Sequence, residues 1–95
     1  MTISVSSTPN GGLVVRGELD VDGAAALRDA LAAHDSGPVA LDLSGVSFID
    51  SRGLSALLRL RHANPELTLE NPTREARRLF ELTGTTRLLL GDVDR

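Results

Sequence analysis

Four residues stand between two apolar runs: Asp50, Ser51, Arg52 and Gly53. The run "VALDLSGVSFI" leads in and "LSALLRL" leads out. The junction asks for a helix start signal, but not for this particular one. Ser51 suits an N-cap, because its hydroxyl accepts from an amide two or three residues on. A helix start also stabilises a phosphate through free amides and the helix dipole. Phosphorylation of Ser51 would add about −1.5 to −2 charges there without breaking the fold. Gly53 falls in the first helical turn, where glycine costs up to roughly 1 kcal/mol relative to alanine. Its presence implies that another surface comes close beside Ser51.

Other chemistries find less support. There is no cysteine, which excludes disulfides, thiolate metal sites and cysteine nucleophiles. A serine hydrolase would need a G-x-S-x-G turn and a histidine tied to the serine. Neither is present, and His34 and His62 read as ordinary surface residues. A metal site built from Asp20, Asp22 and Asp50 at one edge is the first alternative, yet "DVDG" lacks the third ligand and distant glutamate of a calcium loop. Helix caps explain these acids better, so no metal, cofactor or enzymatic activity is expected. The net charge of −3 and pI near 5.2 argue against direct binding of nucleic acid. The only aromatics are Phe48 and Phe80, so stacking platforms are missing as well. The cluster "REARR" at 74–78 reads as a solvated helix face offset by Glu75 and Glu81, or else as a dock for an acidic partner.

The elements that must position the junction follow from periodicity. The chain has 95 residues, enough for one small domain over 1–95 with one core. "TISVS" alternates like a strand, "NGG" signals a turn, and "LVVRG" is a second strand, so the pair reads as a hairpin. A helix follows from Asp22, with Leu27, Ala30, Leu31 and His34 on one face and Asp20 or Asp22 as its cap. "VALDL" at 39–43 is short, β-prone and apolar on both sides, which suits a central strand. The second helix starts near Ser51, with Leu54, Leu57, Leu58 and Arg61 on one stripe, and stops before Pro65. "ELTLE" is another strand. The third helix is capped by Asn71 with Pro72 in its first turn, turns Ala76, Leu79 and Phe80 inward, and stops at Gly84. Residues 87–90 read as a final strand. The order β-β-α-β-α-β-α-β gives an α/β mixed sheet with helices packed on it. No internal repeat is apparent. No run reaches the roughly 18 apolar residues of a membrane span, and the first residues lack a signal layout, so a cytoplasmic location is expected.

Three segments together resemble a known family. "GELD" at 17–20, "LDLSGVSFIDSRGLSALL" at 41–58 and "RRLFELTG" at 77–84 are similar to the STAS domain of bacterial anti-sigma-factor antagonists. The resemblance implies a four- to five-stranded mixed sheet with helices mainly on one side. It implies phosphorylation at Ser51 by an anti-sigma factor that is itself a serine kinase. The unmodified antagonist would bind that kinase and free a sigma factor; the phosphorylated form would let go, and a serine phosphatase would reset it. Asp20, Asp50, Ser51, Arg52 and Gly53 are the partner-binding residues this implies. STAS-like domains also serve as assembly modules of lipid-transport ABC complexes and as scaffolds in stress signalling, without phospho-switching. The family usually has Ser or Thr after the motif serine, where this chain has Arg52. The short tail after the last apolar run implies a final helix that is short or missing.

Overall fold

The computed structural model describes residues 3–34 and 37–91. Four strands and four helices follow one another: β1 (Ile3–Ser7), β2 (Leu13–Leu19), α1 (Val21–Ala32), β3 (Val39–Ile49), α2 (Ser51–Ala63), β4 (Leu67–Glu70), α3 (Arg74–Thr83) and α4 (Thr86–Leu90). The sheet order is β1-β2-β3-β4. The hairpin pairs β1 and β2 antiparallel, while β2–β3 and β3–β4 are parallel. A parallel pair needs a crossover, and α1 and α2 supply the two. Both crossovers step the same way across the sheet. The right-handed rule therefore places both helices on the same face.

The burial pattern agrees. Leu13, Val15 and Leu19 of β2, Leu41 and Leu43 of β3, and Leu67 and Leu69 of β4 are buried. They meet Leu27 of α1, Leu54 and Leu57 of α2, and Phe80 of α3 in one core. Between them on the strands, Arg16, Thr68 and Glu70 are exposed, and Ala40 and Asp42 are half-buried. The apolar 39–43 segment is therefore covered on one face only, not on both as its composition implies.

Three further expectations change. The segment 86–90 is a short helix rather than a strand, so the order ends in α-α. A run of leucines this brief fits either period, and Leu89 is its one fully buried side chain. The short or missing final helix expected after that run falls on residues 92–95, outside the described residues. At α3 the cap is Thr73, whose hydroxyl accepts from the Ala76 amide at 3.1 Å. Asn71 instead turns the chain, with φ 53°. His34 is not a bare surface residue: its Nε2 donates to the Gly11 carbonyl at 2.9 Å, tying the end of α1 to the hairpin loop. Gly84 ends α3 in the left-handed region as expected, with φ 72°.

Candidate functional site

The junction lies where β2 and β3 end side by side. Their pairing shifts register twice, between Val14 and Arg16 and between Gly17 and Glu18. After the second shift Leu19 pairs with Ile49. The next residue on each strand is an aspartate, and each starts a helix. Asp20 caps α1, its Oδ1 accepting from the Gly23 amide at 2.9 Å. Asp50 caps α2, its Oδ1 accepting from the amides of Arg52 at 3.0 Å and Gly53 at 2.9 Å. The long bond from the Asp50 amide to the Leu19 carbonyl, 3.5 Å, links the two starts.

The cap of α2 is therefore Asp50, not Ser51. Ser51 is the first helical residue and is exposed, as is Arg52. Two of the free amides expected to receive a phosphate are already held by Asp50. A phosphate on Ser51 would meet the helix dipole, a nearby carboxylate, and whatever cations stand beside it. Gly53 is buried. The surface that approaches it is the chain's own: a methyl at Gly53 would overlap the Leu19 carbonyl oxygen and lie 2.8 Å from its carbon. Gly53 is thus packed against the chain's own backbone in the first turn of α2.

Gly23 repeats this arrangement. A methyl there would overlap the Glu18 carbonyl oxygen. Aspartate cap, two residues and a buried glycine recur as Asp20-Val21-Asp22-Gly23 and Asp50-Ser51-Arg52-Gly53. The repeated D-x-x-G was visible in the sequence but is too short to register as an internal repeat.

Between α1 and α2 runs an open groove of about 440 Å³ with Ser51 and Arg52 in its lining. Sequence reading missed its other members. Arg28 comes from α1 and Arg59 from α2, with Ala24 and Ala56 among the lining. Spacing contained the signal, since Ser51, Ser55 and Arg59 repeat at i, i+4 on one stripe. Val21 and Phe48, near the same strand ends in sequence, are about half exposed, at 52% and 48%. Asp22 is exposed and takes no part in a metal cluster; among the described residues no group of three His, Cys, Asp or Glu could hold an ion. Among them, too, no helix is long and apolar enough to cross a membrane.

The mixed four-stranded sheet with its helices is the STAS fold. The family model described as "Mlab, STAS domain" matches residues 3–91, and the chain belongs to that family. Among solved structures it is similar to the anti-sigma factor antagonist SpoIIAA in its unphosphorylated form, with 22% identity and a TM-score of 0.65. That match covers 93% of this chain and 85% of the other. It is also similar to the Bacillus cell fate determinant SpoIIAA in the phosphorylated form, at 22% identity and TM-score 0.60, covering 93% and 88%. A third structure, that of Mglu, matches at 26% identity and TM-score 0.52 over 75% of this chain and 20% of that one. No curated protein matches the sequence.

Proposed function

We propose that this chain is an anti-sigma-factor antagonist, a binding module rather than an enzyme. It acts in the cytoplasm. Its partner is an anti-sigma factor with serine kinase activity, and its control point is Ser51. Unmodified, it occupies the anti-sigma factor and frees a sigma factor for transcription. Phosphorylated, it lets go, and a serine phosphatase restores it. The observation that carries this reading is the exposed Ser51 at the first position of α2, directly after its capping Asp50. The fold supports it, since SpoIIAA keeps the shared fold in both its unphosphorylated and phosphorylated forms. Asp20, Asp50 and Arg52 surround the contact, and Gly53 holds it in place.

The test is phosphate mapping by mass spectrometry after incubation with the cognate kinase and ATP-magnesium. Phosphate on Ser51 alone, and none on Ser51→Ala, is the expected result. Full phosphorylation of Ser51→Ala, or phosphate mainly on Ser47 or Ser55, overturns it.

A second reading is an assembly module of a lipid-transport ABC complex or a stress-signalling scaffold. The family description, which names a Mlab STAS domain and not an antagonist, favours it. In that case the charge at Ser51 has no effect on assembly.

A further inference from the structure

The α1–α2 groove has a charge opposite to that of the chain. The protein carries −3 overall. The groove is lined by Arg28, Arg52 and Arg59 and by no carboxylate. Asp20 and Asp50, the capping acids of the two helices, are turned to backbone amides: Asp20 accepts from Gly23 and Asp50 from Arg52 and Gly53, while Asp22 in the first turn of α1 is exposed but does not line the groove. All three arginines are exposed. Three like charges around one depression repel one another, so the site is poised for an anionic group to relieve them.

The geometry of the lining suits a chain segment. Val21, Ala24 and Arg28 run along one stripe of α1 at i, i+3, i+7. Ser51, Ser55 and Arg59 run along α2 at i, i+4, i+8. Small residues, Ala24, Ser55 and Ala56, lie between the arginines. Such a furrow lets a backbone lie low while its side chains reach the cations. Guanidinium groups bind carboxylates in a fork, which orients a segment as well as attracting it.

We propose that this groove is the docking site for an acidic segment of the protein's partner, gripped by Arg28, Arg52 and Arg59, with Ser51 in its lining. The proposal rests on the binding-module reading above, but not on phosphorylation. It adds the chemistry of the partner's contact: carboxylates spaced along one segment. It also supplies a route by which a phosphate on Ser51 would weaken docking, by competing for the same guanidinium groups. A second copy of the chain is the less favoured occupant. The acidic residues Asp42, Glu66 and Glu70 line a different groove, with Pro38 and Val39 at the start of β3. Pairing that groove with the basic one would be head-to-tail and would not close into a dimer.

The full chain is titrated with a fluorescein-labelled Glu-Ala peptide and with its Gln-Ala counterpart, followed by anisotropy. Three forms are compared: wild type, Arg28→Gln/Arg59→Gln, and a control with the same charge change, Arg74→Gln/Arg78→Gln on α3. Dichroism confirms that each is folded. The Glu-Ala peptide is expected to bind the wild type in preference to the Gln-Ala peptide. The groove variant should lose roughly three-fold per arginine, the size of an exposed charge pair. The α3 control should lose little. Amide shifts on titration should concentrate at Ala24, Ser55 and Ala56. Equal losses in the two variants, or shifts centred on α3, overturn the proposal. So does concentration-dependent self-association abolished by Arg28→Gln/Arg59→Gln, which would assign the groove to a second copy. No kinase or phosphate enters this assay, so its failure leaves the Ser51 switch standing. Retained peptide binding beside a phosphate-insensitive partner would remove the switch alone.

Discussion

The carbonyl of Leu19 lies against the α-carbon of Gly53, so that the end of β2 is pressed on the first turn of α2. A methyl at Gly53 would stand 2.8 Å from the Leu19 carbonyl carbon and 3.1 Å from its Cγ, inside normal contact. The obstacle is backbone and cannot rotate away. This contact fixes the height of α2 over the sheet, and with it the position of Ser51. Overpacking costs about 1–3 kcal/mol or more, set against the roughly 1 kcal/mol that alanine gains over glycine in a helix. Gly53→Ala is expected to destabilise by about 2 kcal/mol, or roughly 8–16 °C in Tm for a domain of this size. Thermal unfolding checks it; a variant as stable as the parent would contradict the close approach.

The cap assignment separates two neighbours. Asp50→Ala removes an acceptor from two amides and should cost about 1–2 kcal/mol, with Asp50→Asn recovering most of it. Ser51→Ala should change stability by only a few tenths of that scale, as an exposed position away from such features does. Urea midpoints of the three variants decide it. A loss at Ser51→Ala equal to that at Asp50→Ala would return the cap to Ser51.

Asp42 gives a pH dependence with a definite sign. Its carboxyl is held below the ordinary range, first by the Ser44 backbone amide, which donates to its Oδ1 at 2.9 Å, and then by the Ser44 hydroxyl. Partial desolvation opposes this, while the Asn71 side chain and the charge of Arg16 assist it. A depressed pKa in the folded state adds stability above the unfolded value of about 3.9, and that stability is lost as pH falls through the folded pKa. Between about pH 5 and pH 2 the parent should therefore lose more stability than Asp42→Asn. Identical acid limbs in the two urea-midpoint profiles would remove Asp42 from the account.

Arg52 marks this chain's departure from the family pattern. A cation beside Ser51 calls for an acidic or acceptor group on the partner and partly neutralises a phosphate. Arg52→Ser should weaken partner binding roughly two- to five-fold, the range of an exposed ion pair. It should also widen the affinity gap between phosphorylated and unphosphorylated forms. Calorimetric titration of both forms of both proteins measures the two effects. If neither moves, Arg52 is a solvated surface residue.

Much of this architecture was legible in the sequence. Alternation and i, i+4 spacing placed β1, β2, β4, α1 and α2 within a few residues of their ends, because each buries one face and its polarity shows it. Four features were not. Asp50 and Ser51 are both good cap residues, and only the amide geometry chooses between them. Leu88, Leu89 and Leu90 fit a strand or a helix until the fold shows which of them is buried. At Gly53 the sequence implies a close-approaching surface but not which one, since the neighbour, Leu19, lies more than thirty residues away in the chain. Arg28 and Arg59 were missed for the same reason: only the packing of α1 on α2 brings them to one groove.

Control by the charge at Ser51 is tested most directly by affinity for the proposed partner, an anti-sigma factor. The unmodified protein, its phosphorylated form, Ser51→Ala and Ser51→Asp are titrated against that partner by calorimetry, with far-UV dichroism on each. Like charges brought together at an interface cost several kcal/mol, so a fall of about 100-fold or more is expected for the phosphorylated form. Ser51→Asp should fall in the same direction, Ser51→Ala should bind like the parent, and all four should share one dichroism spectrum. Equal affinity across the four forms would contradict the switch and assign the domain to constitutive assembly.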